Sequence, residues 1–191
     1  MVELRRSTRN KGKSKAEEPI DSKPVKKTKT TKMSEEVKPE IKEQEIEVGD
    51  SIPDLTLLDE DSNEINLVEA AKKTKYVVIF AYPKASTPGC TRQVCGFQAQ
   101  LGDFKDLDVT IFGLSADLPT AQKKFVEKQG LEYHLLSDPK KELIGVLGAK
   151  KSPTGIKRSH WIFVDGKLKI KKIQISPEDS FNGALESIKE L

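Results

Sequence analysis

Seven consecutive apolar residues, Tyr76-Val77-Val78-Ile79-Phe80-Ala81-Tyr82, run without a polar break into Pro83. A run this short and rich in β-branched and aromatic side chains predicts a strand buried on both faces, since a membrane-spanning helix needs about 20 apolar residues. Such a strand must be covered on two sides, which points to an α/β protein with a central mixed sheet flanked by helices. The flanking sequence supplies those layers. Alternating or β-branched patterns predict strands over 109–114, 160–164 and 168–175, the last two joined by the turn Asp165-Gly166. Helical patterns cover 119–129, 141–147 and 178–191. Ahead of the buried strand, Ile52-Pro53-Asp54-Leu55-Thr56-Leu57 leads through the turn 59–63 to Ile65-Asn66-Leu67, an expected hairpin.

The start of the chain cannot join that core. No Phe, Trp or Tyr precedes Tyr76, and residues 1–45 are mostly Lys, Glu, Thr, Ser and Pro without sustained periodicity. A disordered basic arm over 1–45 and a folded domain over 46–191 are the expected organisation. Lys and Arg minus Asp and Glu give +7 over residues 1–32 (11 − 4) and −4 over the remainder (22 − 26), which together make the net +3. The mild negative balance of residues 33–191 argues against a nucleic-acid-binding surface on the domain. Lys23-Pro24-Val25-Lys26-Lys27-Thr28-Lys29 resembles a nuclear-import signal, and Arg5, Arg6, Arg9, Lys11, Lys13 and Lys15 form a second basic cluster. The plainer account of both is a solvated tail. The expectation is a nuclear protein, with cytoplasm as a second compartment, whose arm meets an import receptor. No apolar stretch follows the first residues, so neither a secretory leader nor a membrane partner is expected.

The residues after the central strand carry the chemistry. Thr87 suits a helix N-cap and Pro88 the first helical position, which puts Cys90 at the third. The free amides and dipole of a helix start stabilise a thiolate, and partial exposure at a strand end would admit a small substrate. The competing account is that a free cysteine is a small buried hydrophobe and that Thr-Pro opens any helix. Cys95 follows five residues later, about 8–9 Å away at Cα in a regular helix, whereas disulfides need about 4.4–6.8 Å. A Cys90–Cys95 bond therefore requires the first turns to unwind. A thioredoxin-type dithiol would have two residues between its cysteines rather than four. A zinc site would have to recruit His134 and His160, at spacings unlike a zinc finger. Two incidental cysteines remain the bland alternative.

Taken together, Pro83-x-x-x-Thr87-x-x-Cys90 resembles the active-site signature of peroxiredoxins, and Cys95 resembles the second cysteine of the bacterioferritin-comigratory-protein and peroxiredoxin Q branch. The likeness covers roughly residues 46–190, including Ile52-Pro53-Asp54-Leu55, Gly113-Leu114-Ser115-Ala116-Asp117 and Leu135-Leu136-Ser137-Asp138-Pro139. With its basic arm the chain is similar to the nuclear thiol peroxidases of yeasts. The resemblance implies a thioredoxin-like fold, a monomer, and hydroperoxide reduction without metal or other cofactor. It implies Cys90 as peroxidatic nucleophile, Cys95 as resolving thiol and thioredoxin as reductant. It also assigns Arg158 as the guanidinium that approaches the sulfur, a choice that electrostatics alone does not make among Arg158, Arg92 and Lys84. Pro83 is implied to shield the sulfur. The Thr87 hydroxyl is implied to contact thiolate or peroxide, or simply to cap the helix.

The expected activity is thus reduction of hydrogen peroxide and alkyl hydroperoxides through a Cys90 sulfenic acid and a Cys90–Cys95 disulfide. A second class of function stays open on the same fold: a nuclear redox sensor or chromatin-associated interaction protein. Direct DNA binding through the arm is a third reading, and it predicts salt-dependent binding that is lost with residues 1–32.

Overall fold

The structure, a computed structural model, describes residues 45–191. The expected basic arm and its import-type motif lie outside the described residues. The elements are β1 (Thr56–Leu58), β2 (Glu64–Asn66), α1 (Leu67–Lys73), β3 (Tyr76–Ala81), α2 (Pro88–Ala99), α3 (Leu101–Asp106), β4 (Val109–Ser115), α4 (Pro119–Gln129), β5 (His134–Ser137), α5 (Glu142–Val146), β6 (Lys150–Lys151), β7 (Gly155–Ile156), β8 (Ser159–Val164), β9 (Lys167–Ile173) and α6 (Pro177–Glu190). Seven strands form one mixed sheet in the order β2-β1-β5-β4-β3-β8-β9, and β6 and β7 make a small separate ribbon.

The apolar run occupies the interior of this sheet as β3, with all six residues buried. It pairs in parallel with β4 and antiparallel with β8. Alternation of side chains along the strand divides the core in two. Val77, Ile79 and Ala81 pack in one cluster with Leu67 and Ala70 of α1 and Leu143 and Ile144 of α5. Tyr76, Val78 and Phe80 pack in the other with Phe97 of α2, Phe104 of α3, Phe125 of α4 and Ala184 and Ile188 of α6. Helices therefore cover both faces, and the architecture is the thioredoxin-like fold expected from the sequence.

Two features of this frame position the site. Because β8 runs antiparallel to β3, Ala81 at the end of β3 faces Ser159 at the start of β8. Arg158, one residue earlier, is thereby brought to the loop that leaves β3. The hairpin that returns the chain turns at Asp165 and Gly166, both with positive φ (48° and 73°), as an Asp-Gly turn requires.

The sequence expectation omitted β5, α1, α3 and the two-residue strands β6 and β7. β5 has four residues, too few to display a period, and it is held as a strand by its parallel pairing with β4. α1 and α3 are seven and six residues long, short enough that packing decides them rather than propensity.

Candidate active site

α2 starts where its sequence says it should: Thr87 is the extended N-cap residue and Pro88 opens the helix, so Cys90 lies in its first turn. The reason differs in one detail from the expectation. The Thr87 hydroxyl makes no cap hydrogen bond; it donates instead to the carbonyl of Lys84 at 3.0 Å, closing the loop on itself. That leaves the hydroxyl oxygen with lone pairs to offer as an acceptor. The same loop is pinned from β4, where Asp117 Oδ2 accepts from the amide of Ala85 at 2.8 Å and from the Ser115 hydroxyl at 3.0 Å. Pro83 is exposed on this loop.

Cys90 was expected to be partly exposed, and this is corrected: only 1% of its surface is accessible. The helix turns the thiol inward, into the apolar cluster that holds Tyr82, Val94 and Phe97. Burial pushes the neighbouring Tyr82 phenol above its ordinary pKa, with the Ser115 and Gln122 side chains opposing that shift.

The polar contact to the sulfur comes from Arg158, whose Nη2 donates to Cys90 Sγ at 3.7 Å. The guanidinium is fixed at its other nitrogen, Nη1, which donates to the Gly89 carbonyl at 2.9 Å and to Gln93 Oε1 at 2.8 Å. Gly89 leaves room for this guanidinium, since a Cβ would lie 3.0 Å from Arg158 Nη2 and press it aside by a few tenths of an ångström. The other two cations point elsewhere: Lys84 is exposed, and Arg92, with 67% of its side chain accessible, pairs with Glu178 at 3.6 Å. Among the three candidates the geometry thus selects Arg158. A guanidinium at this place favours the thiolate over the thiol.

Cys95 sits on the same unbroken helix, half-buried, and its thiol donates to Gln129 Oε1 at 3.4 Å at the end of α4. Both cysteines are free. Nearby, Tyr133 donates its hydroxyl proton to the Val94 carbonyl at 2.8 Å, which ties the second turn of α2 to the chain leading into β5.

Gln93 was not anticipated as part of the site. The buried stripe of α2 is Cys90, Gln93, Val94 and Phe97, the i, i+3, i+4, i+7 pattern of one helix face. A lone amide on an otherwise apolar stripe was the available signal. The histidines weighed for zinc are not gathered at the cysteines. His160 lies fully buried in β8, and His134 stands against Asp59 and Glu60. Ligand atoms of Asp59, Glu60 and His134 come within 4.8 Å of one another. Both carboxylates are already engaged: Asp59 accepts from the amides of Asp61 and Asn63, and Glu60 from that of Leu135. Among the described residues no helix is long and apolar enough to cross a membrane.

Comparison with known proteins bears on this geometry. Residues 48–173 match the model of the AhpC/TSA family. The chain is 52% identical over 146 residues to peroxiredoxin bcp1 of Schizosaccharomyces pombe, covering 75% of this chain and 74% of that one. It is 37% identical over 131 residues to peroxiredoxin Bcp of Escherichia coli, covering 64% of this chain and 83% of that one. Among solved structures it is similar to the bacterioferritin comigratory protein of Xanthomonas campestris, described for its alkyl peroxide reduction activity. There the TM-score is 0.68 at 26% identity, over 74% of this chain and 98% of that one.

Proposed function

The chain belongs to the AhpC/TSA family as a peroxiredoxin, a thiol peroxidase, and from that premise we propose that Cys90 attacks the peroxide and Cys95 resolves the product. The observation that carries the assignment is the Arg158 guanidinium, 3.7 Å from Cys90 Sγ in the first turn of α2. In the first step the Cys90 thiolate attacks one peroxide oxygen. An S–O bond forms as the O–O bond breaks, sulfur is oxidised to sulfenic acid, and the departing oxygen takes a proton and leaves as water or an alcohol. Arg158 and the amides of the helix start stabilise the charge that moves from sulfur to the departing oxygen, and the Thr87 hydroxyl oxygen accepts from the incoming hydroperoxide. Pro83 closes the approach to the sulfur from the loop side.

In the second step Cys95 displaces the sulfenic oxygen as water and forms the Cys90–Cys95 disulfide. Residues five apart on an intact helix are about 8–9 Å apart, so the first turns of α2 must open for this bond to form. A dithiol reductant, thioredoxin, then returns both thiols through a mixed disulfide and is itself oxidised. Alkyl hydroperoxides are proposed as substrates alongside hydrogen peroxide, by extension from the X. campestris relative. The test is peroxide-dependent NADPH oxidation with thioredoxin and thioredoxin reductase. Turnover in the wild type that disappears in Cys90→Ser supports the assignment, and full turnover in Cys90→Ser overturns it.

The basic arm is proposed as the nuclear address, on its charge of +7 over residues 1–32 and the motif at 23–29. A fluorescent fusion lacking residues 1–45 should leave the nucleus. Undiminished nuclear enrichment would remove that role.

A further inference from the structure

α6 grips α2 from its first turn to its last. Pro177 Cγ lies 3.9 Å from the position of a Cβ at Gly89. Glu178 pairs with Arg92 at 3.6 Å, and Gln100 Nε2 donates to Asn182 Oδ1 at 2.7 Å. Phe181 lies so close over Gly96 that a Cβ there would meet its ring at 2.2 Å. One further contact is polar and wholly buried: Gln93 Nε2 donates to Ser180 Oγ at 2.8 Å, and neither residue has any accessible surface. The other end of the same amide, Oε1, accepts from Arg158 Nη1 at 2.8 Å.

We infer that Ser180 is a positioning residue that couples the two thiol steps: through Gln93 it aims Arg158 at Cys90, and by the same bond it holds α2 closed against unwinding. This rests on the roles proposed above for Cys90 and Cys95. A carboxamide can turn either end toward a neighbour, and an arginine needs the oxygen end. Arg158, which can only donate, turns the oxygen end toward itself, and Ser180 accepts from the nitrogen end and so holds the amide at the place Arg158 requires. Nothing in the helix itself calls for a serine at this buried position, since alanine is the better helix former. The hydroxyl is explained by the amide it receives. When the first turns of α2 unwind, Gln93 must leave both partners, so the bond that sharpens the first step also opposes the second.

The consequence is a pair of rate changes of opposite sign. In the full chain, Ser180→Ala should slow sulfenic-acid formation and speed closure of the Cys90–Cys95 disulfide, each by about three- to tenfold, the worth of one buried hydrogen bond. The first rate is read by rapid mixing with hydrogen peroxide and trapping of the sulfenic acid in a Cys95→Ser background. The second is read by acid quench and mass analysis with Cys95 present. Ser180→Thr, which restores the hydroxyl, should bring both rates back toward the wild type. Unchanged rates in Ser180→Ala, rates that fall together, or a Thr variant that behaves like Ala would each overturn the inference. If the wild type forms no Cys90–Cys95 disulfide, the role of Cys95 fails separately, and the trapping rate alone then decides for Ser180: a slowed rate restored by Thr upholds its aiming of Arg158, and any other result overturns it.

Discussion

Cys90 and Cys95 ride on one helix, but the two halves of α2 are built differently. Around Cys90 the chain is fixed from several elements at once. Arg158 reaches in from the start of β8, the Ala85 amide is held by Asp117 after β4, and Gln93 is held by Ser180 of α6. The thiol itself is 1% exposed. Around Cys95 the thiol is half-buried and its partner is a single amide oxygen, Gln129 Oε1. A thiol is a weak donor, so that tie is light. The difference fits the two tasks proposed for these thiols. Peroxide attack needs charge held in one geometry before the reactant arrives, whereas disulfide formation needs a geometry that the closed helix does not contain.

The sharpest way to break this contrast is to exchange the chemistry of the two ends. Cys90→Ser should reduce peroxide turnover by at least ~10³-fold, because the other thiol, Cys95, lies against Gln129 and not against a guanidinium. Coupled NADPH oxidation checks this, and residual turnover carried by Cys95 would erase the distinction between the ends. Arg158→Ala should slow sulfenic-acid formation by about 10²- to 10³-fold, the usual cost of losing a donor aimed at developing charge. Arg158→Lys should recover only part of it, since an ammonium cannot serve Gly89, Gln93 and the sulfur from one rigid fork. Equal rates in the Lys variant and the wild type would mean that charge alone matters.

Acid probes the rigid half through His160, two residues along β8 from Arg158 and packed beneath Gly183 of α6, where a Cβ would lie 3.7 Å from its ring. Both ring nitrogens lack a hydrogen-bond partner. Burial lowers its pKa from the ordinary 6.5 to about 4; Lys172 adds to the shift and the Ser180 backbone opposes it. The folded state therefore holds the ring neutral while the unfolded chain takes up a proton. Its contribution to stability is complete above about pH 6.5 and is lost as pH falls toward about 4, by roughly 3 kcal/mol at most. In denaturant titrations across that window the wild type should lose stability relative to His160→Leu as acid is added, and parallel curves would show that the ring does not titrate. His134 works with the opposite sign. Its pKa is raised, first by the hydrogen bond that its ring donates to Glu60, so its contribution is complete below about pH 6.5 and is lost as pH rises through the raised value.

The rigid half was also the harder one to read from sequence. The start of α2 was legible because Thr87 and Pro88 are local signals, and α4 was legible to the residue because Pro119 opens it and Gly130, with φ 62°, ends it. Cys90 stood out by its place in the first turn. Arg158 did not: it lies 68 residues away, and only the antiparallel pairing of β8 with β3 brings it to the sulfur. Resemblance supplied that residue where charge and spacing could not. Gln93 and Ser180 were missed because their role lies in a contact across 87 residues, which no periodicity records. The burial of Cys90 was misjudged for the same reason, since a helix start looks exposed until the layer above it is known.

Cys95→Ser tests the end that carries the lightly tied thiol. Sulfenic-acid formation at Cys90 should proceed at the wild-type rate, while steady turnover with thioredoxin falls by about tenfold or more and Cys90 accumulates sulfinic acid under excess peroxide. Single-turnover trapping separates the two effects. A slowed first step would mean that the second half of α2 helps to shape the first.

The smallest effect expected is also the most specific to the light tie on Cys95. Gln129→Ala removes the acceptor of its thiol without touching the first turn. A hydrogen bond from a thiol is worth less than one from an amide, so the gain in freedom for Cys95 is on the order of 0.5 kcal/mol. Disulfide closure should then speed by about twofold, with sulfenic-acid formation unchanged. If closure is limited instead by unwinding around Cys90, releasing Cys95 changes nothing and the Ser180→Ala acceleration accounts for the whole barrier. A twofold gain in Gln129→Ala that multiplies with the gain in Ser180→Ala would show that both halves of α2 must move, each against its own restraint.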